Sequence, residues 1–326
     1  SDRTQIIAEA GVNHNGSVEM ALQLVDAAAD AGADIVKFQT FKADKLATSQ
    51  AAKAQYQVVN TNESGSQLDM LRALELSPAA HHVLADHAKA RGIGFMSTAF
   101  DAESLELLAA FDMPAVKIPS GDITSVDLLL RSARLGRRLI VSTGMATLGE
   151  IEQALGVIAF GLISSLQPVS RLDFERAFLS EAGKTALRKN VTLLHCVTEY
   201  PALPEAINLR AMATMEHAFG LPVGYSDHTA GIAVSIAAVA LGARIIEKHF
   251  TLDRKLPGPD HAASLEPREL GQMVAAIRTI EAALGSAVKG PGAQEMRNRQ
   301  VARRSIVAAC VIRKGDIFTL DMLSEK

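Results

Sequence analysis

The chain has 326 residues, 48% of them hydrophobic and 21% charged, enough for one α/β barrel or two ordinary domains. Its net charge of −3 excludes a general polyanion binder, so nucleic acid is not an expected partner, although a local basic pocket for a small phosphate is allowed. No run of about 18 apolar residues suggests a membrane span, no signal-peptide pattern precedes the first strand, and two cysteines, Cys196 and Cys310, suit a reducing compartment, so a cytoplasmic protein is expected.

Short apolar runs alternate with alanine-rich amphipathic stretches. The first strand candidate, QIIAEA (5–10), carries Glu9 and is followed by Asn13 and His14. DIVKFQT (34–40) carries Lys37 and Gln39, and GFMSTA (94–99) carries Ser97 and Thr98. AVKIPS (115–120) supplies Lys117 and Ser120, with Asp122 just beyond, and LIVSTG (139–144) supplies Ser142 and Thr143. VTLLHCV (191–197) gives His195, then Thr198, Glu199 and Tyr200. VGYSD (223–227) gives Ser226 and Asp227, then His228, and RIIEKHF (244–250) gives Glu247, Lys248 and His249. Helical patterns lie between, several closed by a glycine (Gly32, Gly92, Gly136, Gly242) where a left-handed cap would sit.

Eight strands, each followed by a helix, predict a parallel sheet with helices outside, and eight is the number that closes a (β/α)8 TIM barrel. A doubly wound open sheet is the rival, but EAGVNHNG after the first strand is not the GxGxxG turn it would usually show. Residues 41–76 read as a long polar loop over the barrel mouth, and 161–190 as a helical insertion before the sixth strand. The expected domains are a barrel at 1–285, a Gly-rich linker at 286–300 and, at 301–326, the first part of a further domain.

In a barrel the carboxyl ends of the strands meet in one mouth, so the recurrent polar endings predict one shared pocket. Its lysines and hydroxyls (Thr98, Ser120, Ser142, Ser226) suit a phosphate and a carboxylate. His228 and His249 end neighbouring strands, where two imidazoles suit a borderline divalent metal supported by carboxylates such as Glu9, Asp122 or Asp260. Each feature also has a plainer account. Lys37 or Lys117 could be a salt-bridge partner, the serines helix caps, Cys196 a small buried filler, and His195 a packed core residue. PGPD (257–260) could be a tight turn, and ARRS near the tail a solvated patch.

Nine motifs in order, EAGVNHNG, VKFQT, STAF, KIPSGD, STGM, LHCVTEYP, GYSDHT, EKHFT and LPGPDH, make the chain resemble the sialic acid synthase family, which includes the legionaminic and pseudaminic acid synthases. The tail RRSIVAACVIRKGDIFTLDML resembles the start of that family's C-terminal SAF (antifreeze-like) domain. The resemblance implies a barrel enzyme that condenses phosphoenolpyruvate with an N-acylated mannosamine-type sugar, giving a nonulosonic 2-keto acid and phosphate. It implies a divalent metal, Mn²⁺ first, with Mg²⁺ or Co²⁺ as alternatives, held by His228 and His249. It assigns phosphoenolpyruvate to Lys37, Thr98, Lys117, Ser120, Ser142 and Ser226, and sugar contacts to Tyr200 and Asp260; Gln39 and Thr198 join the substrate-binding set. Glu9 and Asp122 take proton transfer and water positioning. It further implies a domain-swapped homodimer in which Arg304 reaches the sugar's N-acyl group.

Two positions depart from the family pattern. Asp122 stands where the family often has Glu, and Thr198 where some sialic acid synthases carry Asn. The TEYP motif and the 161–190 insertion look more like legionaminic than pseudaminic acid synthases, which favours a 6-deoxy diacetamido-mannose over N-acetylmannosamine. Two other classes stay open: a class I aldolase forming a Schiff base at Lys37, Lys117 or Lys248, and a non-catalytic ligand-binding barrel.

Overall fold

A computed structural model of the protein describes residues 3–48 and 66–326. Among these, eight parallel strands close a barrel in the order of the chain. They are β1 (Gln5–Gly11), β2 (Ile35–Thr40), β3 (Gly94–Ala99), β4 (Val116–Ile118), β5 (Leu139–Ser142), β6 (Val191–His195), β7 (Val223–Asp227) and β8 (Ile245–His249). β1 closes the barrel against β8, with Glu9 opposite His249 in the register. The strands are near-continuous apolar runs because both faces are covered, one by the barrel interior and the other by the helices. Ile6, Ile7, Phe38, Leu193, Leu194 and Ile246 are accordingly fully enclosed.

The helices follow from local signals. In α1 (Val18–Asp30), Ser17 caps the start by accepting from the Met20 N–H, and Ala21, Leu24, Val25 and Ala28 form the buried stripe. Gly32 then adopts φ +80° and turns the chain into β2. The segment read as an insertion continues α2 (Leu148–Ile163), opened by a Thr147–Glu150 capping box, into α3 (Arg171–Leu179) and α4 (Glu181–Asn190). The expected loop at 41–76 holds short helices at Ala43–Leu46 and Gln67–Leu74, and its middle lies outside the described residues.

The barrel unit runs to Leu284, and residues Gly285–Lys326 form a second compact unit. The stretch read as a linker contains a helix at Ala293–Ala302. Beyond it, Ile306–Ala308 pairs antiparallel with Leu323–Glu325. No residue of this second unit is buried.

Candidate active site

The carboxyl ends of the strands surround a cavity of about 240 Å³. Strand alternation decides who lines it, because residues two apart share a face. Glu9, Lys37, Thr98, Lys117, Ser142 and Ser226 all reach its wall. So do Gln39, Ser120, Thr198 and Tyr200 around the rim. His228, Glu247 and His249 complete the side formed by β7 and β8. Cys196 lines the cavity too, while His195 faces outward, stacks on Tyr225 and donates from Nε2 to the Ile207 carbonyl. A larger apolar cavity of about 410 Å³ lies between α2 and α3, away from every strand end.

At the centre, two ammonium groups meet two carboxylates. Lys37 Nζ lies 2.6 Å from Glu9 Oε2 and 3.5 Å from Glu247 Oε2, and donates to Thr98 Oγ1 at 3.0 Å. Lys117 Nζ lies 3.2 Å from Glu247 Oε1, which also accepts from Ser226 Oγ at 2.8 Å. Gln39 donates to Glu9 Oε1 at 3.2 Å. Burial disfavours the charged form of Glu247, but Lys117 and Lys37 outweigh it and hold the carboxyl well below the usual range. Burial raises Glu9, with the charge of Glu247 adding to it against the pull of Lys37. Lys37 is held charged: burial opposes its ammonium, yet Glu247 and Glu9 raise its pKa.

The hydroxyl side of the cavity depends on a glycine. Gly144, just after β5, has φ +32°, and a Cβ there would lie 2.5 Å from Ser120 Cβ and 2.8 Å from Thr198 Oγ1. The bare backbone lets the loops after β4, β5 and β6 converge, leaving Ser120 Oγ 3.5 Å from Thr198 Oγ1. Two anticipated acids stand outside the cavity wall. Asp122 is half-buried on the 3-10 turn Ser120–Asp122, and burial raises its pKa to about 6. Asp260 is buried in the loop after β8, raised to about 7 by burial and by the charge of Glu9. That loop is clasped by the β1 turn. Asn13 donates to the Phe250 carbonyl and to Ser264 Oγ, and Ser264 Oγ donates to the Asp260 carbonyl. Arg304 lies in the second unit, exposed.

The two histidines converge. Their ring centroids are 5.7 Å apart, and Tyr200 packs on both, tilted over His228 at 4.1 Å and edge-on to His249 at 5.7 Å. His228 Nδ1 donates to the Val197 carbonyl, so its Nε2 keeps the lone pair. Burial lowers the pKa of both rings, which keeps them in the neutral, ligating form. His249 Nδ1 is buried without a hydrogen-bond partner. Among the described residues no group of three or more His, Cys, Asp or Glu side chains is arranged to hold a metal. Two neutral imidazoles whose rings line one cavity 5.7 Å apart are nonetheless a donor pair of the kind that suits a divalent ion.

The NeuB family profile matches residues 24–289. The chain belongs to the NeuB family. It is 48% identical over 324 residues to the N,N'-diacetyllegionaminic acid synthase of Campylobacter jejuni, covering 99% of this chain and 90% of that protein. It is 46% identical to the N,N'-diacetyllegionaminic acid synthase of Legionella pneumophila, over 95% of this chain and 81% of that one. Among solved structures, the N-acetylneuraminic acid synthetase of Leptospira borgpetersenii in complex with citrate superposes with a TM-score of 0.74 at 32% identity, covering 92% of this chain and 91% of that one.

Three features of this NeuB-family site escaped the sequence reading. Glu247 was visible as an ionisable strand end but carried no assigned role. Its spacing of two from His249 was the available signal, since it puts both on one face. Gly144 had no signal beyond its place in STGM. Lys248 points the other way and pairs with Asp227 at 3.0 Å, both fully buried. It is not part of the cavity wall, which removes it as a Schiff-base candidate there.

Proposed function

We propose that this NeuB-family chain condenses phosphoenolpyruvate with the open-chain form of an N-acylated mannosamine-type sugar, a 6-deoxy diacetamido-mannose in preference to N-acetylmannosamine. One observation carries the reading: two buried ammonium groups and a row of hydroxyls share a small cavity with a pair of neutral imidazoles. The first set suits a phosphate and a carboxylate, the second a metal that handles an aldehyde. The preferred sugar rests on the two relatives named as N,N'-diacetyllegionaminic acid synthases.

Lys37 and Lys117 bind the phosphate, assisted by the hydroxyls of Thr98, Ser120, Ser142 and Ser226, with Thr198 and Gln39 at the rim. Charge matching makes this favourable, because a low-dielectric cavity strengthens each contact. His228 and His249 would hold a divalent ion, Mn²⁺ first with Mg²⁺ or Co²⁺ as alternatives, which supplies Lewis-acid polarisation of the aldehyde oxygen. Carbon 3 of the enol ester forms the new bond to the aldehyde carbon, and positive charge develops at carbon 2. Water adds there and gives its proton to Glu9, which lines the cavity and whose pKa burial raises, with Asp122, raised to about 6 but outside the cavity wall, as the alternative acceptor. The aldehyde oxygen takes up a proton to become a hydroxyl, and the tetrahedral carbon expels phosphate by C–O cleavage as its own hydroxyl gives up a proton, leaving the 2-keto acid.

Tyr200 and Asp260 contact the sugar. Arg304 reaches the N-acyl group of a sugar in the other subunit of a domain-swapped homodimer, and the tail is the beginning of an SAF domain. A Schiff-base route fits less well, since Lys37 is held as an ammonium by two carboxylates.

A phosphate-release assay with phosphoenolpyruvate and each sugar, run with EDTA and with Mn²⁺, tests the reading. Release that needs both substrates and the metal is expected, faster with the diacetamido sugar. Label from H₂¹⁸O should enter carbon 2 of the product; label found only in phosphate would refute C–O cleavage.

A further inference from the structure

The Asp227–Lys248 pair lies behind the cavity, and nothing in the chemistry above uses it. The two residues are direct cross-strand partners in the β7–β8 register. His228 follows one and His249 follows the other, each turned to the opposite face. Both charged side chains are about 1% exposed and 3.0 Å apart. The carboxylate is saturated. Its Oδ1 accepts from Tyr225 OH at 3.2 Å, the Thr229 N–H at 2.9 Å and Thr229 Oγ1 at 2.8 Å, and its Oδ2 accepts from Ser235 Oγ at 2.6 Å. Lys248 Nζ also donates to the Thr229 carbonyl. The pair thus grips Thr229 by its N–H and its C=O, and His228 is bracketed between Asp227 and Thr229.

A buried ion pair of this kind is poor value as a stabiliser, because desolvation offsets its attraction and an apolar pair of similar size often does as well. Its best-attested use is to specify one register. Register matters at this pair of strands, since a slip of one residue would turn His249 and Glu247 to the helix-facing side.

We propose that Asp227 and Lys248 are positioning residues that set the separation of the His228 and His249 imidazoles, and so the affinity of the site for a divalent cation. The inference rests on the two-imidazole metal reading given above. Asp227 and Lys248 touch neither substrate nor metal; they act through the backbone of the residues that do.

The test is a calorimetric titration of the full chain with Mn²⁺ alone, without substrates, alongside thermal melts. The variants are the apolar replacement Asp227→Leu/Lys248→Met and the charge-conserving Lys248→Arg. The double variant should still melt cooperatively, at a lower temperature because Tyr225, Thr229 and Ser235 lose their acceptor, and bind Mn²⁺ about 10–100-fold more weakly, the usual loss when an outer support of a ligand is removed. Lys248→Arg, which keeps the cross-strand charge pair, should retain most of the affinity. Wild-type Mn²⁺ affinity in a folded double variant overturns the proposal. Loss of a cooperative melt in the double variant also counts against it, because the pair would then be holding the fold and not the dyad. If the wild-type chain binds no Mn²⁺, the metal reading itself fails and this inference falls with it.

Discussion

Glu247 Oε1 lies 3.2 Å from Lys117 Nζ, and the second oxygen of the same carboxylate lies 3.5 Å from Lys37 Nζ. One carboxylate therefore ties together the two cations expected to hold an anionic substrate. Replacing it with the neutral Glu247→Gln leaves buried ammonium charge without its counter-ion, at a cost of about 3–5 kcal/mol. A bound anion can take over that role. Phosphate should raise the melting temperature of Glu247→Gln more than that of the wild type. Equal shifts in the two proteins would mean that phosphate does not reach these lysines.

Gly144→Ala places a methyl group 2.5 Å from Ser120 Cβ and 2.8 Å from Thr198 Oγ1, on a backbone already at φ +32°. The loops after β4 and β6 must part to admit it. The expected result is a KM for phosphoenolpyruvate raised about tenfold or more, the equivalent of about 1.4 kcal/mol, with a smaller effect on the sugar KM. Steady-state kinetics with each substrate varied in turn would show this split.

His249→Ala removes one of two imidazoles from a site that has no third side-chain ligand among the described residues. Turnover should fall below detection, and Mn²⁺ binding should weaken to the level of a single histidine. EDTA should silence the wild type and Mn²⁺ restore it. Near-normal turnover by His249→Ala at full metal saturation would remove the ligand assignment.

Asp260 is raised to about 7, first by burial and then by the charge of Glu9. An unfolded aspartate titrates near pH ~4. Between about pH 4 and 7 the folded chain therefore binds a proton that the unfolded chain has released, so this residue makes stability fall as pH rises through that window, by up to about 4 kcal/mol in total. Asp260→Asn abolishes the contribution. Urea unfolding across that range should show a shallower decline for the variant, and its relative stability should be greatest above pH ~7.

Much of the architecture was readable in the chain. All eight strand windows are occupied by strands, and Gly32, Gly92, Gly136 and Gly242 all take positive φ. These features are local: a buried parallel strand needs an apolar run, and a left-handed helix end needs a residue without a Cβ. Less was readable at strand ends. The candidates for β4, β5 and β6 ran to Ser120, Gly144 and Val197, but the ladders stop at Ile118, Ser142 and His195. There the chain leaves the sheet to form the cavity rim, and tertiary contacts outweigh β propensity.

His195 shows the same limit at the level of one side chain. Alternation puts His195 and its neighbour Cys196 on opposite faces without saying which face is the site: Cys196 lines the cavity while His195 meets the Ile207 carbonyl. Asp122 and Asp260 make the converse case, since both follow strands in the chain yet stand outside the cavity wall.

From residue order alone came the inventory: the strands, the helices between them, and the acids, lysines, hydroxyls and imidazoles that end each strand. Which of these meet was settled by closure of the barrel. Glu9 and His249 are 240 residues apart in sequence but opposite each other in the β1–β8 register. Glu247 reaches Lys37 and Lys117 from strands that are not its neighbours. Period-two alternation is a property of each strand by itself, whereas the pairing of charges across a barrel mouth depends on shear, taper and which loops a glycine lets approach.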